Sequence, residues 1–348
     1  MTISNFHARG FSLIELMIAV TLGLLGLLAV TTIYIEFNKH RTVETSLMEA
    51  QNNGALALFL LERDLDRAGY GFMALQGCRC AYDDGGGVTA RSFCQTYPTN
   101  LTPNPQSALP LVVTDGGTGS DRIRVQYGTP LGGLSVTTIL DKQVNFSDPF
   151  KLKSAAGIVI GDIIVLNRGG NCAAYEASGV SESTKTVSHE PGTGSLNVTA
   201  APTEGGYDTA MANDWIVNLG HYVSKDFFID ATTSQLVESS RPTYADNNPV
   251  VDDIVYMKAD IGRDTDNDNL VNVWDKPLNV ADYSTVIAIR VGIVARSQVV
   301  DRESPTPPSL VVLPAITGGT EQTYTVPDQK YRYKVYYTII PLRNMLWS

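Results

Sequence analysis

The stretch that decides the fold is Arg9-Gly10-Phe11-Ser12-Leu13-Ile14-Glu15, which runs directly into an apolar segment from Leu16 to Ile35. Those twenty residues carry no charge, and at about 1.5 Å rise per residue they suffice to cross a hydrocarbon core of about 30 Å. The segment reads as a membrane span over about 14–35. Ahead of it, Met1 to Gly10 is short and polar. A secretory signal would place its cleavage site after the apolar run and so discard it, whereas a cut after Gly10 keeps the run as an anchor. Glu15 is the odd residue, a carboxylate at the head of an apolar stretch. A charge in lipid is costly and usually marks a function with a nearby partner; the competing reading leaves Glu15 at the interface, hydrated and without a role.

Arg9-Gly10-Phe11-Ser12-Leu13-Ile14-Glu15 resembles the prepilin motif of type IV pilins and type II secretion pseudopilins at every position. The resemblance implies that 1–10 is a leader removed by a prepilin peptidase between Gly10 and Phe11. It further implies N-methylation of Phe11 and extraction of the helix into a filament, with Glu15 pairing with the Phe11 amine of a neighbouring subunit. A buried carboxylate is tolerable only against an opposite charge and hydrogen bonds, which gives that pairing its physical sense. Gly10 suits a scissile bond that must enter a tight site in extended form.

Past the span, Val43, Leu47, Ala50, Gly54, Leu58, Leu61, Leu65 and Ala68 recur at spacings of three and four, the pattern of one helical face. The helix is therefore expected to continue through 36–68. From Phe11 it would reach roughly 87 Å at 1.5 Å per residue, with Gly69 placed to stop it. Gly23 and Gly26 weaken helix propensity inside the span and permit close helix packing.

Residues 70–348 read as the head. A Gly- and Pro-rich stretch runs to about Pro110 and reads as loops and short strands. Beyond it, β-branched runs between turn signals predict strands at Ile123–Tyr127, Ser135–Leu140, Gly157–Leu166, Trp215–Leu219, Ile254–Met257, Thr285–Arg296 and Tyr331–Leu342. In Val286–Arg296, Ile287, Ile289, Val291 and Ile293 occupy one face and Arg290 and Arg296 the other, which predicts a strand with one buried side. Leu61-Glu62-Arg63-Asp64-Leu65-Asp66-Arg67-Ala68-Gly69-Tyr70 and Tyr331-Arg332-Tyr333-Lys334-Val335 through Pro341-Leu342-Arg343-Asn344 resemble the helix exit and closing strand of PilW-like minor pilins.

The fold class so implied is α+β, a long N-terminal transmembrane and filament-core helix followed by a large antiparallel β-rich globular head. The family implies a non-catalytic subunit that primes assembly and caps a type IV pilus, in support of twitching, adhesion or DNA uptake. Its implied partners are the prepilin peptidase, other minor pilins and the major pilin, an inner-membrane assembly platform and a tip adhesin. The implied location is the inner membrane with the head in the periplasm, then the pilus surface. Two alternatives share the features: a type II secretion pseudopilin, and a signal-anchored periplasmic binding protein or adhesin that is never cut at Gly10.

The chain has 348 residues and a formal charge of −10, which argues against a body that grips phosphate backbones. Cys78, Cys80, Cys94 and Cys172 all lie beyond the apolar segment, as expected for disulfides in an oxidising compartment. Cys78 and Cys80 are too close for an easy mutual bridge, so each pairs with Cys94 or Cys172, leaving two connectivities. The alternative, a zinc site, lacks paired C-x-x-C knuckles.

Asp264-Thr265-Asp266-Asn267-Asp268-Asn269-Leu270 through Asp275 resembles a calcium loop. Its ligands would be the side chains of Asp264, Asp266, Asp268 and Asp275 and the Leu270 carbonyl, with Asn269 at the left-handed position usually held by Gly. The competing reading is a solvated Asp/Asn turn, favoured by the lack of flanking helical patterns. No cofactor is required. The histidines His7, His40, His189 and His221 are scattered, with His189 expected in a polar loop, and no hydrolase or phosphate-loop motif occurs. Gly85–Gly87 and Gly116–Gly119 read as turns.

Overall fold

The computed structural model describes residues 12–72, 79–80, 110–133, 135–168, 171–194, 197, 209–240, 247–277, 285–301, 305–316 and 319–345. Gly10, Phe11, His7, Cys78, Cys94 and Gly85–Gly87 lie outside them, as does the side chain of Cys80.

Helix α1 spans Leu13–Leu65, 53 residues, or about 80 Å at 1.5 Å per residue. It contains no proline. Ser12 is its N-cap, and Glu15 reaches back to close a capping box. The helix ends earlier than its apolar spacing predicts. The N–H groups of Arg67 and Ala68 bond three residues back, to Asp64 and Leu65, tightening the chain out of α geometry. Gly69 then adopts φ +81° and donates its N–H to the Gln126 carbonyl (3.0 Å), delivering the chain to the sheet rather than stopping the helix itself.

The strands are β1 (Arg79–Cys80), β2 (Leu111–Thr114), β3 (Arg122–Thr129), β4 (Ser135–Thr138), β5 (Phe150–Lys151), β6 (Ile163–Arg168), β7 (Asn171–Glu176), β8 (Gly179–Ser181) and β9 (Thr186–Ser188). They continue with β10 (Trp215–Asp230), β11 (Gln235–Ser240), β12 (Asn247–Asp252), β13 (Ile254–Arg263), β14 (Val273–Asp275), β15 (Val286–Val300), β16 (Ser309–Leu313), β17 (Gln322–Thr325) and β18 (Tyr331–Pro341). Every predicted strand is present. Trp215–Leu219 proves to be the start of the much longer β10, and the first part of Gly157–Leu166 is a turn.

β10 is the spine of the largest sheet. Its first half pairs with β4 and β6, its second with β3 and β11, and the changeover is a bulge at Gly220/His221. Gly220 has φ +64° and backbone of Pro130 where a Cβ would sit, so glycine is required there. The outer half of this sheet, with the small β5–β9–β8 sheet, holds a core of Phe150, Leu152, Ile164, Leu166, Tyr175 and Ile216. The inner half meets α1 and a second sheet, β14–β13–β15–β18, in the main core.

In that main core α1 buries Ser46, Ala50, Gly54, Ala57, Leu61, Asp64 and Leu65. The buried face is thus rotated from the predicted one, with Val43, Leu47 and Leu58 only at its margins. Small residues lead because the helix backbone approaches the sheet closely: a Cβ on Gly54 would enter the Tyr336 ring.

The expectation that β15 has one solvated side is overturned. Arg290 is 1 % exposed. Its guanidinium pairs with Asp260, directly opposite on β13, and donates to the carbonyls of Pro314 (2.7 Å) and Thr320 (3.0 Å) beneath Trp274. Gln322 also donates to Asp260. A buried guanidinium survives when carboxylate and carbonyl acceptors surround it, so an arginine did not mark the solvent face. Arg296 is partly buried, with its guanidinium over Tyr331.

Candidate functional site

The first half of α1 has every side chain from Leu13 to Ile35 exposed, and by length and composition it can cross a membrane. Its threonines fold their hydroxyls onto the helix's own carbonyls: Thr21 to Met17 (2.9 Å), Thr31 to Leu27 (3.0 Å) and Thr32 to Leu28 (2.8 Å). Donors satisfied within the helix leave an apolar cylinder that lipid or another helix can cover. A Cβ added at Gly23 or Gly26 would meet nothing within 4 Å beyond the helix's own backbone. At the tip, Ser12 N–H donates to Glu15 Oε2 and Ile14 N–H to Ser12 Oγ, both at 3.3 Å. The helix's own positive end faces Glu15, and no described cation does.

The second half of α1 is docked by polar contacts as well as by small apolar residues. Ser46 Oγ accepts the N–H groups of Gln298 (2.8 Å) and Val299 (3.2 Å), where β15 frays from its neighbour. Asn53 and Gln298 both donate to Asp253. At the base, buried Asp64 accepts from Tyr127 (3.1 Å) and Lys225 (3.0 Å), while Lys225 also reaches Glu238 (3.1 Å). Burial works to lower the Lys225 ammonium, but its bonds to Asp64 and Glu238 outweigh that and hold it above the usual lysine range. Sequence reading missed Ser46, Asp64 and Lys225. The recurring small residues at four-residue spacing were the available signal for the first.

In the acidic loop, carboxylate oxygens of Asp264, Asp266 and Asp268 lie within 4.8 Å of one another. Asp264 is buried and accepts backbone N–H groups of Asp266, Asn267, Asp268 and Asn269, the last at 2.8 Å. Burial raises its carboxyl, but the N–H groups of Asn269 and Asn267 outweigh this and hold it below the usual range. Asn267 and Asn269 have φ +61° and +65°, the left-handed geometry expected of Asn269. Asp275 stands apart from the cluster, on β14, where it pairs with Arg263 (2.5 Å). Leu270 has an exposed side chain, and its N–H donates to Asp268.

Cys172 is fully buried. Its backbone lies opposite Cys80 in the parallel β1/β7 pair. His40 faces Glu36 on the helix (3.5 Å), and His221 lies at the β10 bulge. His189 is 1 % exposed, not in a polar loop. It stacks on Phe150 (4.1 Å between centroids) beside Tyr175 and Phe146. Gln143 Oε1 accepts from Ala210 N–H (2.7 Å), which orients its Nε2 as donor toward His189 Nε2 (3.1 Å). That nitrogen therefore accepts and the proton sits on Nδ1, which has no partner among the described residues. Burial pushes this imidazole down to about 4. The Gly116–Gly119 turn is held by Lys258, whose Nζ reaches Gly117 O (2.9 Å) and Asp121 (2.6 Å).

Comparison with known proteins places two regions. Residues 5–31 match the model described as the prokaryotic N-terminal methylation motif, and residues 223–344 match that of type IV pilus-assembly protein W. The second match begins inside β10 and ends just after β18. No curated protein matches the chain. Among solved structures, a type IV-like pilin from Thermus thermophilus is similar at 12% identity, covering 54% of this chain and 86% of its own, with a TM-score of 0.27, a superposition too loose to carry an argument.

Proposed function

We propose that this chain, a PilW-like type IV minor pilin anchored by its N-terminal helix, primes assembly of a pilus and stays at its tip, acting by packing and not by catalysis. The observation that carries this is the division of α1. Its first half presents an uncovered apolar cylinder headed by the processing motif, and its second half is bound into a large head. In this reading a prepilin peptidase cuts between Gly10 and Phe11, and Phe11 is N-methylated. The helix waits in the inner membrane with the head in the periplasm, then joins other minor pilins and the major pilin through the assembly platform. Glu15 would exchange its Ser12 contact for the Phe11 amine of a neighbour. The test is mass spectrometry of the N-terminal peptide from membranes and sheared filaments: a peptide starting at Phe11 with one added methyl is expected. An intact leader in cells that process other pilins overturns the reading. Glu15→Ala should be cleaved normally yet fail to incorporate.

Two finer proposals concern the head. Asp264, Asp266 and Asp268 with the Leu270 carbonyl would hold calcium, Asp275 being engaged by Arg263; the ion would stabilise the fold by mass action. A Tm indifferent to millimolar calcium and to chelator rejects this. We also propose a disulfide between Cys172 and Cys80, because their backbones are ladder partners on adjacent strands about 4.8 Å apart, within cystine reach. Non-reducing peptide mapping that joins Cys172 to Cys78 would overturn the assignment.

A further inference from the structure

β18 closes the second sheet, and no described strand pairs with its outer edge. Leu342 N–H donates to Ile287 O (2.8 Å), and the register runs on through Ile340 opposite Ile289, Thr338 opposite Val291 and Tyr336 opposite Ile293. An antiparallel ladder alternates bonded and non-bonded pairs, so the N–H and C=O groups of Val335, Tyr337 and Ile339 point out of the sheet. β15 has the matching parity, since Arg296 N–H turns the other way, to Asp253 on the β13 side (2.9 Å). No described residue pairs with this edge. Tyr337 and Ile339, 55 % and 49 % exposed, stand on the sheet face away from α1, because Tyr336 between them faces Gly54 on the helix.

Two other described edge strands, β12 and β14, are blunted. β12 carries Pro249, and its pairing slips at Leu236/Val237; β14 has three residues. β18 runs eleven residues and meets a proline only at Pro341, the next outward position after Ile339. The flank is also charged against the rest of the molecule. From Gln329 to Ser348 there are four Lys or Arg and no Asp or Glu, in a chain of net −10. Arg332 pairs with Asp301 and Arg343 lies 3.6 Å from Asp66, whereas exposed Lys330 and Lys334 make no ion pair with described residues.

We propose that the Val335–Ile339 edge receives an extended β-strand from a different subunit of the assembly, one with acidic residues beside its apolar ones. Backbone groups would supply the binding, and Tyr337, Ile339 and Lys334 the selection. A second copy of this chain does not fit. Pairing β18 with itself antiparallel needs a two-fold axis normal to the sheet, which reverses α1 lying on the sheet face, whereas two anchors in one membrane run the same way. This exclusion rests on the anchored-pilin reading above.

The test is hydrogen exchange on the full processed chain, alone in detergent and within the co-purified minor-pilin complex. Exchange of the outward amides of Val335, Tyr337 and Ile339, within 333–341, should slow by about tenfold or more in the complex. Ile339→Pro removes an amide that the chain's own sheet does not use, so its head should melt like the wild type while its recovery in the complex falls by about tenfold; Ile339→Val should be recovered normally. Unchanged exchange in the complex, or normal recovery of Ile339→Pro, overturns the proposal. Protection of these three outward amides already in the isolated chain would mean that its own residues cover the edge, and their protection in a dimer of the pure chain would mean a second copy; either overturns it. Should Ile339→Pro fail to fold, the wild-type exchange comparison decides alone. A chain correctly cut at Phe11 and incorporated, yet unprotected at these three amides, sinks this inference and leaves the pilin reading standing. A chain never cut sinks the reading itself.

Discussion

The two halves of α1 invert the usual relation between apolarity and burial. From Leu13 to Ile35 nearly every residue is apolar and none is buried; from Ser46 to Leu65 the buried positions include serine, glycine, alanine and aspartate. Each half is matched to a different surrounding. Lipid or a neighbouring helix rewards an unbroken apolar surface with its hydroxyls tied to its own carbonyls. A sheet packed close to a helix backbone rewards small side chains and a few satisfied polar contacts instead.

The same substitution made in both halves should therefore differ most. Leu61→Ala, at a fully buried position, is expected to cost about 4 kcal/mol of head stability, whereas Leu24→Ala should leave denaturant unfolding of the head unchanged. Equal effects would break the comparison.

Acid should weaken the outer lobe. His189 is neutral when folded, with its pKa depressed to about 4 from 6.5. Below pH 6.5 the unfolded chain binds the extra proton, so stability is full above that value and declines as pH falls toward about 4. The loss reaches about 3 kcal/mol. His189→Phe should flatten the profile between those limits, measured by urea titration against pH. The Lys225 ammonium has the opposite sign, its contribution being lost only as pH rises past the ordinary lysine range, so it adds nothing to the pH dependence between 6.5 and about 4.

A smaller effect is expected at the seam glycine. Gly54→Ala pushes a methyl into the Tyr336 ring and should cost about 2 kcal/mol, despite the gain in helix propensity, as read by thermal unfolding. Smallest is the matching change in the other half. Gly23→Ala or Gly26→Ala meets nothing within 4 Å and should raise the helicity of the isolated chain by up to about 1 kcal/mol. If either variant nevertheless lowers filament incorporation, that face packs against a neighbour.

The apolar helix was legible from Leu16 to Ile35 because the capacity to cross a membrane depends on composition and length, which a linear sequence displays in full. The strands that were legible lie where β-branched residues crowd, but Leu111–Thr114 and Ser309–Leu313, just as rich in them, were missed because each is short. Nor were strands legible in Asn171–Glu176, with its small residues, or in Asn247–Asp252, which contains a proline. Of the candidate sites, the carboxylates of Asp264, Asp266 and Asp268 could be grouped from their spacing, since a single loop holds them. The detachment of Asp275 could not, because it depends on Arg263 across a strand pair.

By itself, then, the sequence determined which segment forms the long apolar helix, where the methylation motif lies and which of the β-branched runs it singled out become strands. All three are properties of consecutive residues. Only the tertiary structure decided that Arg290 is buried, that His189 sits among aromatic rings, that Ser46 and Asp64 join helix to head, and that no described strand pairs with the outer edge of β18. Each of these depends on which distant segment lies alongside, and a local pattern of polar and apolar residues does not encode its neighbour across the fold.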